Sequence, residues 1–290
     1  MKSKKFLIGM LVLATLFLPS IATSSFTIPS GSQTTTIDFW YTENDSEKPG
    51  LLAKIAAFEV ANPTIDVVAT QKGFFGVEDE FRTAFLAENE PQLLRTPRDG
   101  VPKFANESLI QPVTSEFTQA EEDAFIDTAL SLVTYDGDIW GWPQALDAPA
   151  FFFNVELFED AGIDTTGIDA DTSWTWTEFD TNTQEIIDNT DAYALSLAGM
   201  FFGAQPYYYG KGAKFFTENI YDQEHIAINS TESRDALTYI KNLVDSNKTP
   251  TWTEQGWSYF VGDFKDGEVA MIATGPWQIQ DLVENSALFN

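Results

Sequence analysis

From Thr36 onward, apolar and polar positions fall into alternating strand-like and helix-like stretches. Residues 36–41 (TIDFWY) and 65–69 (IDVVA) are short runs rich in β-branched and aromatic side chains, and read as strands. Between them Leu51, Leu52, Ile55 and Phe58 recur at helical spacing, with Asp45 or Ser46 as the cap and Asn62-Pro63 as the stop. The same spacing predicts a helix over 77–87 with Phe81, Ala84 and Phe85 on one side, then a third short strand at Leu93-Leu94-Arg95. The order β-α-β-α-β is that of a sheet with helices packed on its faces.

Further on, Thr118 with Glu121 and Thr175 with Glu178 have the spacing of capping boxes. Tyr135-Asp136-Gly137-Asp138 reads as a tight turn, with Trp140 and Trp142 expected to pack beneath the first lobe. The apolar run 150–153 leads into Asn154 and a helix ending at Gly162. Ser230 caps a predicted helix that carries Leu237, Ile240, Leu243 and Val244. A strand is expected at 268–272, with Gly275-Pro276-Trp277 opening the next turn. Neither an internal repeat nor a low-complexity block is visible.

The first residues carry an address rather than a fold. Lys2, Lys4 and Lys5 precede an apolar run over 6–18, Pro19 ends it, and small residues follow. This is the anatomy of a secretory signal peptide over 1–24, too short for a bilayer span of roughly 20 residues. Residues 25–35 then read as a flexible lead-in.

Composition narrows the chemistry. The chain has 290 residues with 16 Lys+Arg, 44 Asp+Glu and one histidine, a formal charge of −28 at pH 7. That charge repels phosphate backbones and anionic lipid surfaces, so no nucleic-acid partner is expected. Cysteine is absent, which removes disulfides, thiol nucleophiles, thiolate zinc sites and a lipid-bearing cysteine. Gly210-Lys211-Gly212 lacks the glycine and hydroxyl residue of a phosphate loop. His225 beside Glu224 reads as a surface residue, and Asp164, Asp169 and Asp171 lack the glycine and glutamate of a calcium loop. No cofactor or metal is expected. Asn44, Asn106, Asn229 and Asn247 each head a glycosylation sequon.

Several segments, taken in order, resemble one family. They are Phe39-Trp40-Tyr41, the 58–63 stretch FEVANP, Tyr135-Asp136-Gly137 with Trp142-Pro143, the 153–162 stretch FNVELFEDAG, the 173–179 stretch SWTWTEF, and 267–271 leading into Gly275-Pro276-Trp277. Together they resemble the extracellular solute-binding proteins of sugar importers, the maltose-binding-protein-like group. The resemblance implies an α/β fold of the two-lobe, type II periplasmic-binding kind. It implies an N-terminal lobe over 36–149, a hinge crossing over 150–154 and a C-terminal lobe over 155–290. The family normally continues past the Gly-Pro-Trp motif, so the second lobe is expected to be incomplete. The implied activity is capture of a sugar or oligosaccharide between the lobes and delivery to an ABC transporter permease, by an exported monomer.

Sugar recognition needs directional polar partners for hydroxyls and flat aromatic surfaces for ring faces. Tyr41, Glu43 and Asn44 follow the first strand, at the strand end where α/β proteins hold ligands. Arg98 and Asp99 follow the third strand and match a family loop whose acid binds sugar hydroxyls. Asp147 precedes the crossing run and matches an acidic ligand residue of the family. In the second lobe Phe202, Tyr208 and Trp277 are the aromatic candidates, Trp277 by its match to a stacking platform. Three adjacent tyrosines at 207–209 cannot all point inward, so at least one is expected at a surface. The competing readings are a secreted carbohydrate-active enzyme using two carboxylates, and a degenerate binding protein with no transport partner.

Overall fold

The computed structural model describes residues 34–169, 172–197, 201–217, 225–250 and 257–285. The signal segment, the start of the lead-in, Asp171 and Glu224 lie outside the described residues. The chain divides into two compact units, Met1–Leu146 and Asp147–Asn290.

The first unit is built on a parallel sheet of β1 (Thr35–Tyr41), β2 (Ile65–Gln71) and β3 (Leu93–Leu94), in the order β2-β1-β3. The connections are α1 (Lys48–Ala61) and α2 (Val77–Leu86), as the βαβ rhythm predicts. Burial alternates along β2, with Ile65, Val67 and Ala69 half-covered and Asp66, Val68 and Thr70 exposed, so one face is packed and the other open. α1 contributes Leu51, Ile55 and Phe58 at half-burial, while Leu52, expected on the same face, is 40% exposed. Its entry also differs from expectation. Neither Asp45 nor Ser46 caps it. The Asn44 Oδ1 accepts from the Ser46 and Glu47 amides at 2.9 and 3.0 Å, and Asp45 instead pairs with Lys48 at 2.7 Å.

The rest of this unit is α3 (Gly100–Asn106), a 3₁₀ turn at Thr114–Glu116, α4 (Gln119–Glu122), α5 (Asp127–Ser131) and a hairpin of β4 (Thr134–Tyr135) and β5 (Asp138–Ile139). The Thr118–Glu121 capping box forms as its spacing predicts. The hairpin turn needs positive φ at both central residues, and Asp136 (51°) and Gly137 (86°) supply it. Val101, Val113, Phe117, Val133 and Ile139 make the local core. Trp140 packs against it with its indole donating to the Tyr135 carbonyl at 2.9 Å. Trp142 is less enclosed than expected, stacked on Phe117 with a surface-exposed edge.

The second unit is built around β7 (Met271–Thr274), every residue of which is buried. β6 (Ala150–Phe153) pairs antiparallel with it, Ala150 opposite Thr274. Parallel bridges join Tyr193 to Val269 and Ser196 to Ile272 on the other side. The strand Ala150–Phe153, expected as a crossing, is thus paired within the second unit, and the division of the chain falls at Leu146/Asp147. The remaining elements are α6 (Val155–Asp160), α7 (Trp176–Asn189), α8 (Phe201–Gly210), α9 (Thr231–Asp245), α10 (Trp257–Lys265) and α11 (Ile279–Asn285). Asn154, Thr175 and Ser230 cap α6, α7 and α9 through their side chains.

Met271 enters one apolar cluster with Phe158, Ile186, Leu195 and Tyr207, and Ile272 enters a second with Phe260, Phe264 and Leu282. On α9 the buried face is Ser233, Ala236 and Leu243, with Leu237 turned to solvent, so the predicted stripe is rotated by about one residue. Lys248 is buried and donates to the Asp180 carbonyl (3.0 Å) and to Thr183 Oγ1 (2.8 Å). Desolvation lowers its pKa, partly offset by the charges of Asp180 and Asp188. Thr249 is also buried, while Asn247, which heads the sequon, is exposed. No helix among the described residues is long and apolar enough to cross a membrane.

Candidate functional site

Three parallel strands deliver their C-terminal loops to one edge of the first unit, and that edge is polar in an unusual way. β1 runs directly into Thr42 and Glu43, both buried, Glu43 only 5% exposed. The loop is fixed from the side by Gln71, whose Nε2 donates to the Glu43 carbonyl at 2.8 Å. Arg95 leaves the end of β3, its amide held by the Trp40 carbonyl at 2.8 Å. Its guanidinium donates to Thr42 Oγ1 and lies 3.8 Å from Glu43 Oε1. Gln144 Nε2 donates to the same Glu43 oxygen.

The other carboxylate oxygen, Glu43 Oε2, is buried and has no hydrogen-bond partner among the described residues, and the same holds for the Thr96 hydroxyl. A buried carboxylate oxygen left empty costs free energy comparable to a lost hydrogen bond. Such a group in a strand-end loop has acceptor capacity that the described residues leave unused. Gly100 closes the floor: a Cβ there would overlap Thr96 Oγ1, so glycine is required by the close approach of that hydroxyl.

The sequence-derived candidates divide around this cluster. Tyr41 is buried with its ring tilted against Phe39 at 6.2 Å. Glu43 sits at the centre. Asn44 is exposed and spends its Oδ1 on the entry to α1. Arg98 is exposed, while Asp99 is exposed and paired with Lys103 at 2.9 Å, a lysine shared with Glu78 at 3.0 Å. Arg95, Thr42, Thr96 and Gln144 were not foreseen as site residues. Arg95 carried a usable signal: a lone cation at the end of an apolar strand needs a partner nearby.

In the second unit the end of β7 carries the candidates. Ala150 pairs with Thr274, so Asp147, three residues earlier, and Gly275-Pro276-Trp277 lie toward the same end of that sheet. Asp147 is exposed and has no hydrogen-bond or ion-pair partner among the described residues. The Trp277 ring lies across Gly275, where any Cβ would collide with it. Phe202, at the start of α8, tilts against it with ring centroids 5.8 Å apart at 56°. Both rings are half-buried, and the Thr274 hydroxyl at the end of β7 is buried without a hydrogen-bond partner among the described residues.

Tyr208 is corrected. It is 1% exposed, packs with Ala213 and Ala236, and its hydroxyl meets Ser233 Oγ at 2.9 Å and the Lys214 carbonyl at 3.3 Å. A side chain so enclosed and so satisfied offers no surface to a ligand. Of the three tyrosines, Tyr209 is the one at the surface. No three acids or histidines among the described residues are arranged to hold a metal ion. Asp164 turns to the Thr166 amide at 2.9 Å, and Asp169 and Thr172 bond each other at 3.1 Å.

The sequence profile of one family, bacterial extracellular solute-binding protein, matches residues 44–290. The chain belongs to that family. Among curated relatives, it is 22% identical over 279 residues to a maltooligosaccharide ABC transporter solute-binding lipoprotein of Streptococcus pneumoniae, covering 94% of this chain and 63% of that protein. It is 21% identical over 243 residues to the galactooligosaccharide-binding protein of Bacillus subtilis, covering 82% of this chain and 55% of that one. The chain thus spans roughly half to two thirds of the length of these relatives.

Among solved structures, the GacH receptor of Streptomyces glaucescens, determined unliganded and with acarbose, superposes with a TM-score of 0.75 at 29% identity, covering 88% of this chain and 64% of that one. A cyclo/maltodextrin-binding protein complexed with maltotetraose superposes at 0.68 and 21% identity, covering 87% and 63%. The fold class is therefore the expected one, the α/β architecture of the two-lobe maltose-binding-protein-like proteins.

Proposed function

We propose that this chain captures a sugar or oligosaccharide and presents it to an ABC transporter permease, acting as an exported, non-enzymatic monomer. The observation that carries the reading is Glu43: buried, oriented by Arg95 and Gln144 through one oxygen, and empty at the other. A sugar hydroxyl is a neutral donor of the right size for that oxygen, and a charge-assisted bond of this kind is among the stronger available to a neutral ligand. The galactooligosaccharide- and maltooligosaccharide-binding relatives, and the similar structures determined with acarbose and with maltotetraose, support the ligand class. Tyr41, Glu43, Asn44, Arg98 and Asp99 are the proposed contacts from the N-terminal lobe (36–149), and Asp147, Phe202 and Trp277 complete the set. With Ala150–Phe153 paired into the second unit, the proposed hinge between this lobe and the C-terminal lobe lies at the start of the crossing, by Leu146 and Asp147, and closure about it would trap the ligand.

Asp147→Ala is expected to weaken sugar binding by about 1–3 kcal/mol, as for a hydrogen bond to a charged group. Calorimetric titration of the two proteins measures this, and equal affinities would remove Asp147 from the set. Incubation with polysaccharide followed by reducing-end assay separates capture from cleavage: binding without turnover is expected, and steady release of reducing ends would favour the carboxylate-pair enzyme.

A further inference from the structure

Residues 142–149, which carry the chain from β5 to β6, form neither helix nor strand, and 144–149 are exposed. Across 143–148 a single hydrogen bond forms among the described residues: the Gln144 side-chain amide donates to Glu43 Oε1. The acceptor is the buried carboxylate at the centre of the candidate site, 101 residues away in sequence. Arg95 approaches the same oxygen to 3.8 Å. Glu43 therefore faces two ways. Its Oε1 is committed to the cation of the first unit and to the crossing segment, while its Oε2 has acceptor capacity left. Just beyond Gln144 the first unit ends, at Leu146. The two oxygens of a carboxylate share one rigid plane, so a donor bound at one fixes the direction in which the other accepts.

We propose that Gln144 is a positioning residue that couples ligand capture at Glu43 to closure about the hinge beside it. The inference rests on the sugar-binding reading and deepens it by naming how that site reaches the hinge. A ligand hydroxyl at Oε2 stops the carboxylate from turning, which firms the Gln144 bond and holds the crossing segment in one position. By linkage the effect is reciprocal: whatever the ligand adds to the tether, the tether adds to ligand affinity. Without the tether the ligand still meets Glu43, but the segment leading to the second unit is released from it.

The chain has no cysteine of its own, so a Lys54→Cys/Asn242→Cys pair, one exposed position in each unit, takes a donor and an acceptor dye. Single-molecule energy transfer then counts open and closed molecules, and calorimetry on the unlabelled chain gives affinity. Both are measured with a panel of α- and β-linked di- to tetrasaccharides on wild type, Gln144→Leu and Gln144→Lys, with circular dichroism as the folding control. Leucine removes the donor, whereas the lysine ammonium keeps one within reach of Glu43. The expected result is that Gln144→Leu lowers the closed-to-open ratio at saturating sugar about three- to tenfold, with a loss of affinity. Gln144→Lys should close as wild type does. A Gln144→Leu chain that binds more weakly yet closes fully at saturation overturns the coupling, as does closure lost equally in Gln144→Lys. Wild type that binds no member of the panel overturns the sugar-binding reading itself. Wild type that binds without closing overturns the hinge, and the coupling falls with either.

Discussion

The two units solve opposite problems with the same kind of architecture. The second unit encloses its central strand: Met271 to Thr274 are all buried, and two apolar clusters meet across β7. The first unit leaves one face of its sheet open, has no fully buried residue in α1, and places its most enclosed charge, Glu43, at a loop. Free energy in the second unit therefore comes chiefly from apolar burial. At its strand ends the first unit spends part of its stability on a polar cluster that is incomplete without a donor. On the proposed reading the contrast divides the contacts, polar and directional in the first unit and aromatic in the second, where the Phe202 and Trp277 rings tilt against each other.

The sharpest break in that comparison is a core truncation in the second unit. Ile272→Ala should cost about 2–5 kcal/mol, the range for emptying a packed site. Leu52→Ala on the open side of the first should cost under about 0.5 kcal/mol. Denaturant midpoints of the two variants measure the difference, and equal shifts would mean that the units are equally packed. Next comes Arg95→Met, which strands Glu43 without its cation and should destabilise by roughly 3 kcal/mol. Adding Glu43→Gln in the same chain should recover most of that loss, because a neutral amide has less to lose in the same place. A double variant no better than the single one would show that Arg95 acts by packing alone.

Much of this architecture is legible in the sequence, for identifiable reasons. The β-α-β-α-β order, the two capping boxes and the Asp136-Gly137 turn are local features, set by spacing and by residue conformational preference, and each forms as read. What escaped was decided by tertiary neighbours. The rotation of α9 that buries Ser233 and exposes Leu237 goes with packing of Ala236 against Tyr208 and a hydrogen bond from the Tyr208 hydroxyl to Ser233. Tyr208 read as a site residue because aromatic clusters give no sign of which ring turns inward. The Arg95–Glu43–Gln144 cluster joins residues from three distant stretches, and one sequence alone carries no record of that pairing.

Two smaller effects sharpen the contrast further. Trp277→Ala should lower sugar affinity by about 1–2 kcal/mol, with the second unit still folded, since the ring is only half-buried and lies over Gly275. Loss of the near-ultraviolet signal of the whole unit would instead assign Trp277 to packing. The last effect concerns acid. Burial pushes Asp281 upward, but hydrogen bonds from Lys265, Asn285 and Gln278, with the Lys265 charge, outweigh it and hold the carboxyl below its ordinary 3.8. A depressed carboxylate stabilises the fold above that ordinary value, and the contribution fades as pH falls below it through the lower folded-state value. Asp281→Asn should therefore lose stability at neutral pH and show a shallower decline below pH 4 than wild type, read from thermal midpoints. Parallel pH profiles would show that Asp281 contributes nothing.

The central claim is that the first unit holds a sugar through the empty oxygen of Glu43. Calorimetric titration of wild type and Glu43→Gln with the same oligosaccharide panel tests it most directly. The account predicts one site per chain in wild type and a loss of about tenfold or more in the variant, with the thermal midpoint preserved. Equal affinity in the two proteins would contradict it, and so would a wild-type chain that binds none of the sugars.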